Sequence, residues 1–240
     1  MIRLCPSILN ANFADLNSEI AKVAKQSDLL HLDVMDNIFV PNQTFSLAES
    51  EKIIKESPLP VDTHLMIANP DIDAPKYAKF GAKSVTVHFE ALKNIEKCIE
   101  EIHSAGSRVG IALKPKTDFS QIAKYIELID MVLIMTVEPG FGGQSFMENM
   151  MEKVKQARTE IDTHRLRDVW LQVDGGISLA TIETAYRAGA DAFVAGSSVF
   201  KSDDPGGMVD KLRARAEKEI DESLSTDDEP AKTDEPPGEK

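Results

Sequence analysis

Eight short apolar segments recur along the chain, and they constrain the fold more than any other feature of the sequence. Each is five to seven residues long and rich in Val, Ile and Leu. Most are nearly continuous in apolar character rather than strictly alternating, which is typical of parallel strands covered on both faces. The segments are 4–9, 29–35, 61–67, 84–89, 108–113, 131–137, 169–175 and 192–196.

Amphipathic helical patterns separate these segments. Residues 13–26, for example, place Leu16, Ile20 and Val23 at helical spacing. Three of the helical patterns are followed by a glycine directly before the next strand, where it can end the helix in a left-handed conformation. These glycines are Gly81, Gly106 and Gly189.

Eight strands alternating with eight helices over about 220 residues match the length of a (β/α)8 barrel. We therefore predict a single α/β domain, a TIM barrel, over residues 1–220. A doubly wound open sheet is the structural alternative, but no G-x-G-x-x-G motif follows the first strand to support it. In a barrel, the functional side chains lie at the carboxyl ends of the strands.

Residues 221–240 differ in composition from the rest of the chain. They contain eight acidic residues, two lysines, three prolines, one leucine and no aromatic residue. Such a segment cannot bury enough apolar surface to fold, so we predict a disordered acidic tail. The tail holds −6 of the net charge of −13.

The remaining charge of −7 argues against a nucleic-acid partner or an anionic membrane surface. No apolar run approaches the ~18–20 residues that span a bilayer. The apolar start of the chain is broken by Pro6, too early for a signal peptide. We therefore expect a cytoplasmic protein without a membrane partner, in which Cys5 and Cys98 are packing thiols rather than a disulfide.

Polar side chains stand near the ends of three predicted strands. His31 and Asp33 lie in the second segment, His64 in the third, and Asp174 ends the seventh. If all four face the barrel interior, two imidazoles and two carboxylates converge at one end. That ligand set suits one divalent ion such as Zn²⁺, Fe²⁺, Mn²⁺ or Co²⁺, which would satisfy a buried polar face.

Glycine-rich turns follow the last three strands, at 138–144, 174–176 and 195–198. Glycine lets backbone N–H groups approach an anion closely, and barrels commonly hold phosphate in the loops after their last strands. The sequence therefore predicts a phosphorylated small-molecule ligand.

Three methionines accompany the polar residues: Met35, Met66 and Met135. Core filling is the simpler interpretation. The alternative is an apolar collar that keeps water away from a reacting centre.

Asp33 and Asp174 would lie on opposite sides of such a ligand. One carboxylate could remove a proton next to a carbonyl while the other returns a proton to the opposite face. A metal ion bound to the carbonyl and hydroxyl oxygens would stabilise the enediolate. This arrangement predicts a two-base sugar-phosphate epimerase.

The chain resembles the ribulose-phosphate 3-epimerase family over about residues 1–200, with the family's motifs in order. Several of these motifs are long and nearly unbroken. They are PSILNANF (6–13), HLDVMDNIFVPN (31–42), THLMI (63–67), VHFEA (87–91), MTVEPGFGGQSF (135–146), VDGGI (173–177) and VAGSSVF (194–200).

The resemblance implies interconversion of D-ribulose 5-phosphate and D-xylulose 5-phosphate in the pentose phosphate pathway, by an enzyme that commonly pairs into a homo-oligomer. It implies His31, Asp33, His64 and Asp174 as metal ligands, with Asp33 as proton acceptor and Asp174 as proton donor. The implied substrate-binding residues are Ser7, Met35, His64, Met66, Met135, Gly140, Phe141, Gly142, Gly143, Gly175, Gly176, Gly196 and Ser197.

Four positions depart from or vary within the family pattern, and none is a proposed ligand. Asn37 replaces a glycine, but asparagine also tolerates a positive φ, so we expect the turn to survive. Ser46 replaces a glycine beside the substrate loop. Thr63 should point away from the site, and Lys114 stands where Asn or Lys is expected.

Other functions remain open at this point. An allulose 6-phosphate 3-epimerase of the same build is the nearest alternative. A Schiff-base aldolase using Lys114 would leave the paired His and Asp residues unexplained. A related decarboxylase lacks its Asp-x-Lys-x-x-Asp signature in DTHLMI (62–67). A barrel that only binds sugar phosphate would not need both Asp33 and Asp174.

Overall fold

The computed structural model describes residues 2–164 and 168–226, and its centre is one eight-stranded parallel sheet. The sheet order is β1-β8-β7-β6-β5-β4-β3-β2. Its two edge strands meet through a parallel bridge between Ser7 and His31, which closes the sheet into a barrel. The strands are β1 (Arg3–Pro6), β2 (Leu30–Met35), β3 (Val61–Met66), β4 (Ser84–His88), β5 (Arg108–Leu113), β6 (Met131–Met135), β7 (Trp170–Asp174) and β8 (Ala192–Ala195).

Helices follow seven of the eight strands on the outside of the barrel. The α-helices are α1 (Leu16–Val23), α2 (Leu47–Glu56), α3 (Pro70–Lys79), α4 (Ile95–Ser104), α5 (Met151–Thr163), α6 (Ile182–Arg187), α7 (Ser197–Phe200) and α8 (Pro205–Thr226). The TIM-barrel fold expected from the sequence is therefore confirmed.

The expected strict alternation fails between β5 and β6, where the chain forms two 3-10 turns, Phe119–Gln121 and Ala123–Tyr125, instead of an α-helix. Phe119 and Ile122 are both buried there, and a 3-10 turn places residues three apart on one side. The described residues still contain eight α-helices, because both α7 and α8 follow β8.

Glycine ends three of the helices, as the sequence indicates. Gly81, Gly106 and Gly189 have φ angles of 102°, 92° and 107°. Asn37 also adopts a positive φ, of 57°, so the turn after β2 survives the departure from glycine. Ser46 acquires a different role: it caps α2, its side chain accepting from the backbone N–H of Glu49, whose carboxylate accepts from the Ser46 N–H.

Side chains alternate between two buried layers along each strand. In β2, Leu32 and Val34 belong to the main apolar core, while His31, Asp33 and Met35 take the opposite face. Since every residue of β2 is buried, the second face must be the barrel interior. The barrel interior therefore carries the polar side chains.

The last helix continues to Thr226, six residues beyond the boundary predicted at 220. The remainder of the predicted tail, 227–240, lies outside the described residues. Among the helices that the structure describes, none is both long and apolar enough to cross a membrane.

Candidate active site

Strand register brings the predicted site residues together at the carboxyl end of the barrel. In the pairing of β2 with β3, Asp33 lies opposite His64 and Met35 lies opposite Met66. In the pairing of β6 with β7, Met135 lies opposite Asp174. Residues two apart within one strand share a face, and the register aligns these faces between neighbouring strands. Together they present one continuous surface of polar and thioether side chains to the barrel interior.

Four side chains form a compact ligand group: His31, Asp33, His64 and Asp174. One nitrogen or oxygen atom from each lies within 4.8 Å of the others. His64 Nδ1 is 3.1 Å from Asp33 Oδ1 and 3.6 Å from Asp174 Oδ2. His31 Nε2 is 3.4 Å from Asp33 Oδ1.

The chemistry of this group fits a divalent cation. His31 is fully buried, and its Nε2 atom has no hydrogen-bond partner among the residues that the structure describes. A buried polar atom without a partner is costly, and here the orphaned nitrogen faces a carboxylate. Two imidazole nitrogens and two carboxylate oxygens match the ligand preferences of divalent transition ions.

The imidazoles and carboxylates of the ligand group shift one another's pKa values. Burial lowers the pKa of His31, but the charges of Asp33 and Asp62 and the hydrogen bond to Asp62 raise it well above its ordinary value. Burial raises the pKa of Asp33, yet His31 and His64 hold it well below its ordinary range. The pKa of His64 is also raised against the effect of burial, by Asp174 and Asp33. Asp33 is therefore ionised at neutral pH.

Asp62, which the sequence analysis did not identify, holds the His31 ring through its carboxylate. Asp62 Oδ2 lies 2.8 Å from His31 Nδ1 and accepts from Gln172 Nε2 at 2.7 Å. Its Oδ1 accepts from Ser84 Oγ at 2.6 Å. Asp62 stands two residues before His64, so strand alternation alone would have placed it on the same face.

Two further residues that the sequence analysis did not identify, His88 and Glu90, lie beside His64. His64 Nε2 is 3.0 Å from His88 Nε2, and His88 Nδ1 is 3.2 Å from Glu90 Oε2. Burial lowers the pKa of His88 to about 4, so this imidazole is neutral at pH 7. Burial raises the pKa of Glu90, but hydrogen bonds from His88 and Thr117 lower it to about 2.

A cavity lies above the ligand group, on the side of the glycine-rich loops. Its lining includes every predicted site residue except His31 and His64, which are fully buried. The predicted residues that line it are Ser7, Asp33, Met35, Met66, Met135, Gly140, Phe141, Gly142, Gly143, Asp174, Gly175, Gly176, Gly196 and Ser197. Sequence reasoning missed Leu9, Asn10, Val137, Pro139, Gln144, Ile177 and Val194.

The glycine loops at the rim of the cavity are closely packed against their neighbours. A Cβ atom added to Gly196 would lie 2.4 Å from Asn10 Oδ1, and one added to Gly142 would lie 2.6 Å from the same atom. Gly176 has a φ of 68°, and its added Cβ would lie 2.5 Å from Phe146 N. At Gly176 the clash is with backbone, so only glycine allows this approach, whereas at Gly142 and Gly196 the added atom would displace the Asn10 side chain.

The loop after β2 is fastened to the loop after β6. Asn42 Nδ2 donates to the carbonyl oxygen of Gly140 at 2.8 Å. Phe141, the next residue, is 54% exposed at the mouth of the cavity. This side-chain hydrogen bond joins the two loops at one wall of the cavity.

Lys114 is not in a position to act as the aldolase alternative requires. Its Nζ atom lies 3.7 Å from the centroid of the Phe39 ring, a cation–π contact. The residue is not part of the cavity lining. Thr63 also behaves as expected, since it is buried on the strand face opposite to that of His64.

Comparison with known proteins identifies the family. Residues 3–200 match the model of the ribulose-phosphate 3 epimerase family. The chain belongs to this family. It is 46% identical over 213 residues to a ribulose-phosphate 3-epimerase of Mycobacterium leprae, covering 89% of this chain and 94% of that protein. It is 39% identical over 214 residues to the Bacillus subtilis ribulose-phosphate 3-epimerase, covering 89% and 99% respectively.

Solved structures of lower identity share the fold. A 3-hexulose-6-phosphate synthase superposes with a TM-score of 0.68 at 21% identity, covering 89% of this chain and 99% of that one. This likeness concerns the barrel alone. Membership of the ribulose-phosphate 3-epimerase family makes the chain an enzyme, an epimerase of the isomerase class, as the sequence predicts.

Proposed function

We propose that the chain interconverts D-ribulose 5-phosphate and D-xylulose 5-phosphate by moving a proton at C3, as a step of the pentose phosphate pathway. The observation that carries this proposal is the placement of two carboxylates at one cavity. Asp33 comes from β2 and Asp174 from β7, and β1 and β8 lie between these strands around the barrel. Both carboxylates line the cavity, so a ligand there can meet a proton acceptor on each side.

Asp33 is suited to remove the proton, because it is ionised and held in place. Ser7 Oγ donates to Asp33 Oδ2, and His64 Nδ1 lies beside Asp33 Oδ1. Asp174, which is more accessible, returns a proton to the opposite face, and the two exchange roles when the reaction runs backwards. A divalent ion held by His31, Asp33, His64 and Asp174 would polarise the substrate carbonyl and stabilise negative charge beside it.

Backbone groups and thioethers complete the proposed substrate site. The loops at Gly142–Gly143, Gly175–Gly176 and Gly196–Ser197 expose backbone toward the cavity, where N–H groups can bind phosphate oxygens. Met35, Met66 and Met135 are each 2% exposed around the ligand group. Their polarizable, apolar surface excludes water and strengthens the electrostatic interactions of the carboxylates.

The first test is NMR of the purified protein with D-ribulose 5-phosphate in D₂O. We expect D-xylulose 5-phosphate carrying deuterium at C3, and we expect its formation to stop after a tight chelator and return with added divalent ion. Absence of exchange at C3 with Zn²⁺, Fe²⁺, Mn²⁺ and Co²⁺ each supplied would reject this substrate. Allulose 6-phosphate, run in parallel, would then decide whether the hexulose epimerase is the correct alternative.

We also propose that the ion is Zn²⁺, Fe²⁺, Mn²⁺ or Co²⁺ and that the protein forms a homo-oligomer. A cytoplasmic location and a 1–220 domain followed by a tail belong to the same proposal. Support for a location in the cytoplasm includes a rice relative named as a cytoplasmic isoform, 38% identical over 220 residues. Metal analysis of protein purified from its own cells and sedimentation velocity would test the first two.

A further inference from the structure

His64 has an unusual neighbour for a metal ligand, because its outer nitrogen meets a second imidazole rather than a carboxylate or a carbonyl. His64 Nε2 lies 3.0 Å from His88 Nε2, and both rings are fully buried. Two neutral imidazole nitrogens at this distance must be one N–H donor and one lone-pair acceptor. The function of His64 depends on which of the two holds the proton.

The inner nitrogen of His64 sets the requirement. His64 Nδ1 points at Asp33 and Asp174, so it is the atom available to a cation. A nitrogen that binds a cation must offer a lone pair, which leaves the proton of the neutral ring on Nε2. His64 Nε2–H then donates, and His88 Nε2 must accept.

Glu90 settles the direction in which the chain of hydrogen bonds runs. His88 Nδ1 lies 3.2 Å from Glu90 Oε2, and an ionised carboxylate can only accept. His88 therefore keeps its proton on Nδ1 and presents a lone pair at Nε2. The opposite arrangement would point the Nδ1 lone pair of His88 at the carboxylate, which is repulsive.

Two hydrogen-bond donors from the segment after β5 hold the Glu90 carboxylate in place. Its Oε1 atom accepts from the backbone N–H of Lys114 at 2.8 Å and from the hydroxyl of Thr117. Both donors lie in the segment that follows β5. The carboxylate is thus fixed by two donors on one oxygen while the other oxygen faces His88.

From this geometry we infer that His88 and Glu90 are positioning residues, which fix His64 in the tautomer that presents Nδ1 to the metal ion. The inference rests on the proposed function and extends it, because it assigns the pair a role in metal affinity. Asp62 has the matching position for His31, as its carboxylate lies 2.8 Å from His31 Nδ1 and leaves Nε2 for the ion. The two ligand histidines therefore use different ring nitrogens, each set by its own partner.

Substitution of His88 separates hydrogen bonding from packing. His88→Leu removes the acceptor, whereas His88→Gln keeps an acceptor oxygen near the position of Nε2. Thr63→Val is a matched control, since Thr63 is buried next to His64 and its hydroxyl has no partner among the described residues. The metal-free proteins are titrated with Co²⁺ and with Zn²⁺, and affinity and the visible absorption of Co²⁺ are recorded.

We expect His88→Leu to weaken metal affinity by roughly 10- to 100-fold, as other losses of a metal ligand's outer partner do. His88→Gln should recover most of that loss, and Thr63→Val should match the unchanged protein. Histidine ¹⁵N NMR of the Zn²⁺-loaded unchanged protein should show the His64 proton on Nε2. Equal affinity of His88→Leu and the unchanged protein, or equal losses in the Leu and Gln variants, would overturn the inference.

Glu90→Gln keeps the experiment decisive if His88→Leu does not fold, because the Glu90 side chain is 21% exposed. An amide at position 90 can donate to His88 Nδ1, so it permits the reversed chain of hydrogen bonds. We expect Glu90→Gln to lower metal affinity, and an unchanged affinity would overturn the inference. Failure of the unchanged protein to epimerise D-ribulose 5-phosphate would instead count against the proposed function, since the metal titrations need no substrate.

Discussion

At the scale of single residues, the site combines two carboxylates of unequal surroundings. The Asp33 side chain is 3% exposed and bounded by His31, His64 and Ser7, whereas that of Asp174 is 16% exposed at the end of β7. Both belong to the ligand group and both line the cavity. A change at either position should therefore affect proton transfer and metal binding together.

Asp174→Asn should lower kcat by about 10²- to 10⁴-fold, the usual contribution of a positioned acid or base. Metal affinity should fall as well, while circular dichroism shows an intact fold. In D₂O, Asp33 should still exchange the C3 proton of D-ribulose 5-phosphate with little D-xylulose 5-phosphate formed. The exposed Asp203→Asn provides the control, and near-normal turnover by Asp174→Asn would contradict the two-base assignment.

Metal uptake should depend on pH in a direction set by the two ligand histidines. The pKa values of His31 and His64 are both raised, so in the metal-free protein each retains a proton that the ion must displace. Affinity should therefore rise with pH through the neutral range. Calorimetry in buffers of different ionisation enthalpy measures the protons released on metal binding. The control His164→Gln should release as many protons as the unchanged protein. A metal affinity that does not change between pH 6 and pH 8 would contradict the expectation.

The sequence predicts the residues of the site better than their partners. Alternation along a strand is enough to place His31, Asp33 and His64 on one face, and the order of strands brings in Asp174. The roles of Asp62, His88 and Glu90 depend instead on distances between side chains of different strands. No spacing within one segment encodes such distances.

At the scale of elements, the strands follow from the apolar segments and the loops between them do not. Every predicted segment contains a strand, since continuous burial on both faces leaves a clear pattern. The two 3-10 turns after β5 were not predictable, because a three-residue repeat of apolar side chains also fits an α-helix. The contacts of Asn10 and Asn42 with the glycine loops likewise arise only when distant loops meet.

Gly176→Ala tests the packing of these loops. The added methyl would press on the backbone of Phe146, and a φ of 68° disfavours alanine. We expect the loops after β6 and β7 to separate and KM for the sugar phosphate to rise about tenfold or more. Gly81→Ala, with a φ of 102° but open space around its Cβ, should lose stability and keep its KM; equal KM values in both variants would contradict this account.

At the scale of the whole molecule, the two ends of the barrel carry different tasks. The carboxyl end carries the ligand group and the cavity, while Trp170 begins β7 at the amino end. The guanidinium carbons of Arg3 and Arg108 lie 4.3 Å and 3.9 Å from the centroid of its ring. Its Nε1 atom donates to Asp168 Oδ2 at 3.2 Å.

Trp170→Ala should therefore cost stability without changing the chemistry. Loss of a buried tryptophan typically lowers the free energy of unfolding by about 3–5 kcal/mol. Urea unfolding measures that loss, and kcat/KM measured well below the transition should stay within about twofold of the original. A fall in kcat/KM as large as that of Asp174→Asn would show that the two ends are coupled.

The seam of the barrel has a consequence for how the molecule matures. The edge strands β1 and β2 meet through the bridge between Ser7 and His31, and Ser7 also donates to Asp33. The contact that shuts the ring is thus made by the proposed catalytic apparatus itself. In a nascent chain whose ring is still open, the carboxylates and imidazoles of the site are apart. Such a partly folded chain is therefore inactive. Onset of tight metal uptake during refolding would then report that the ring has closed.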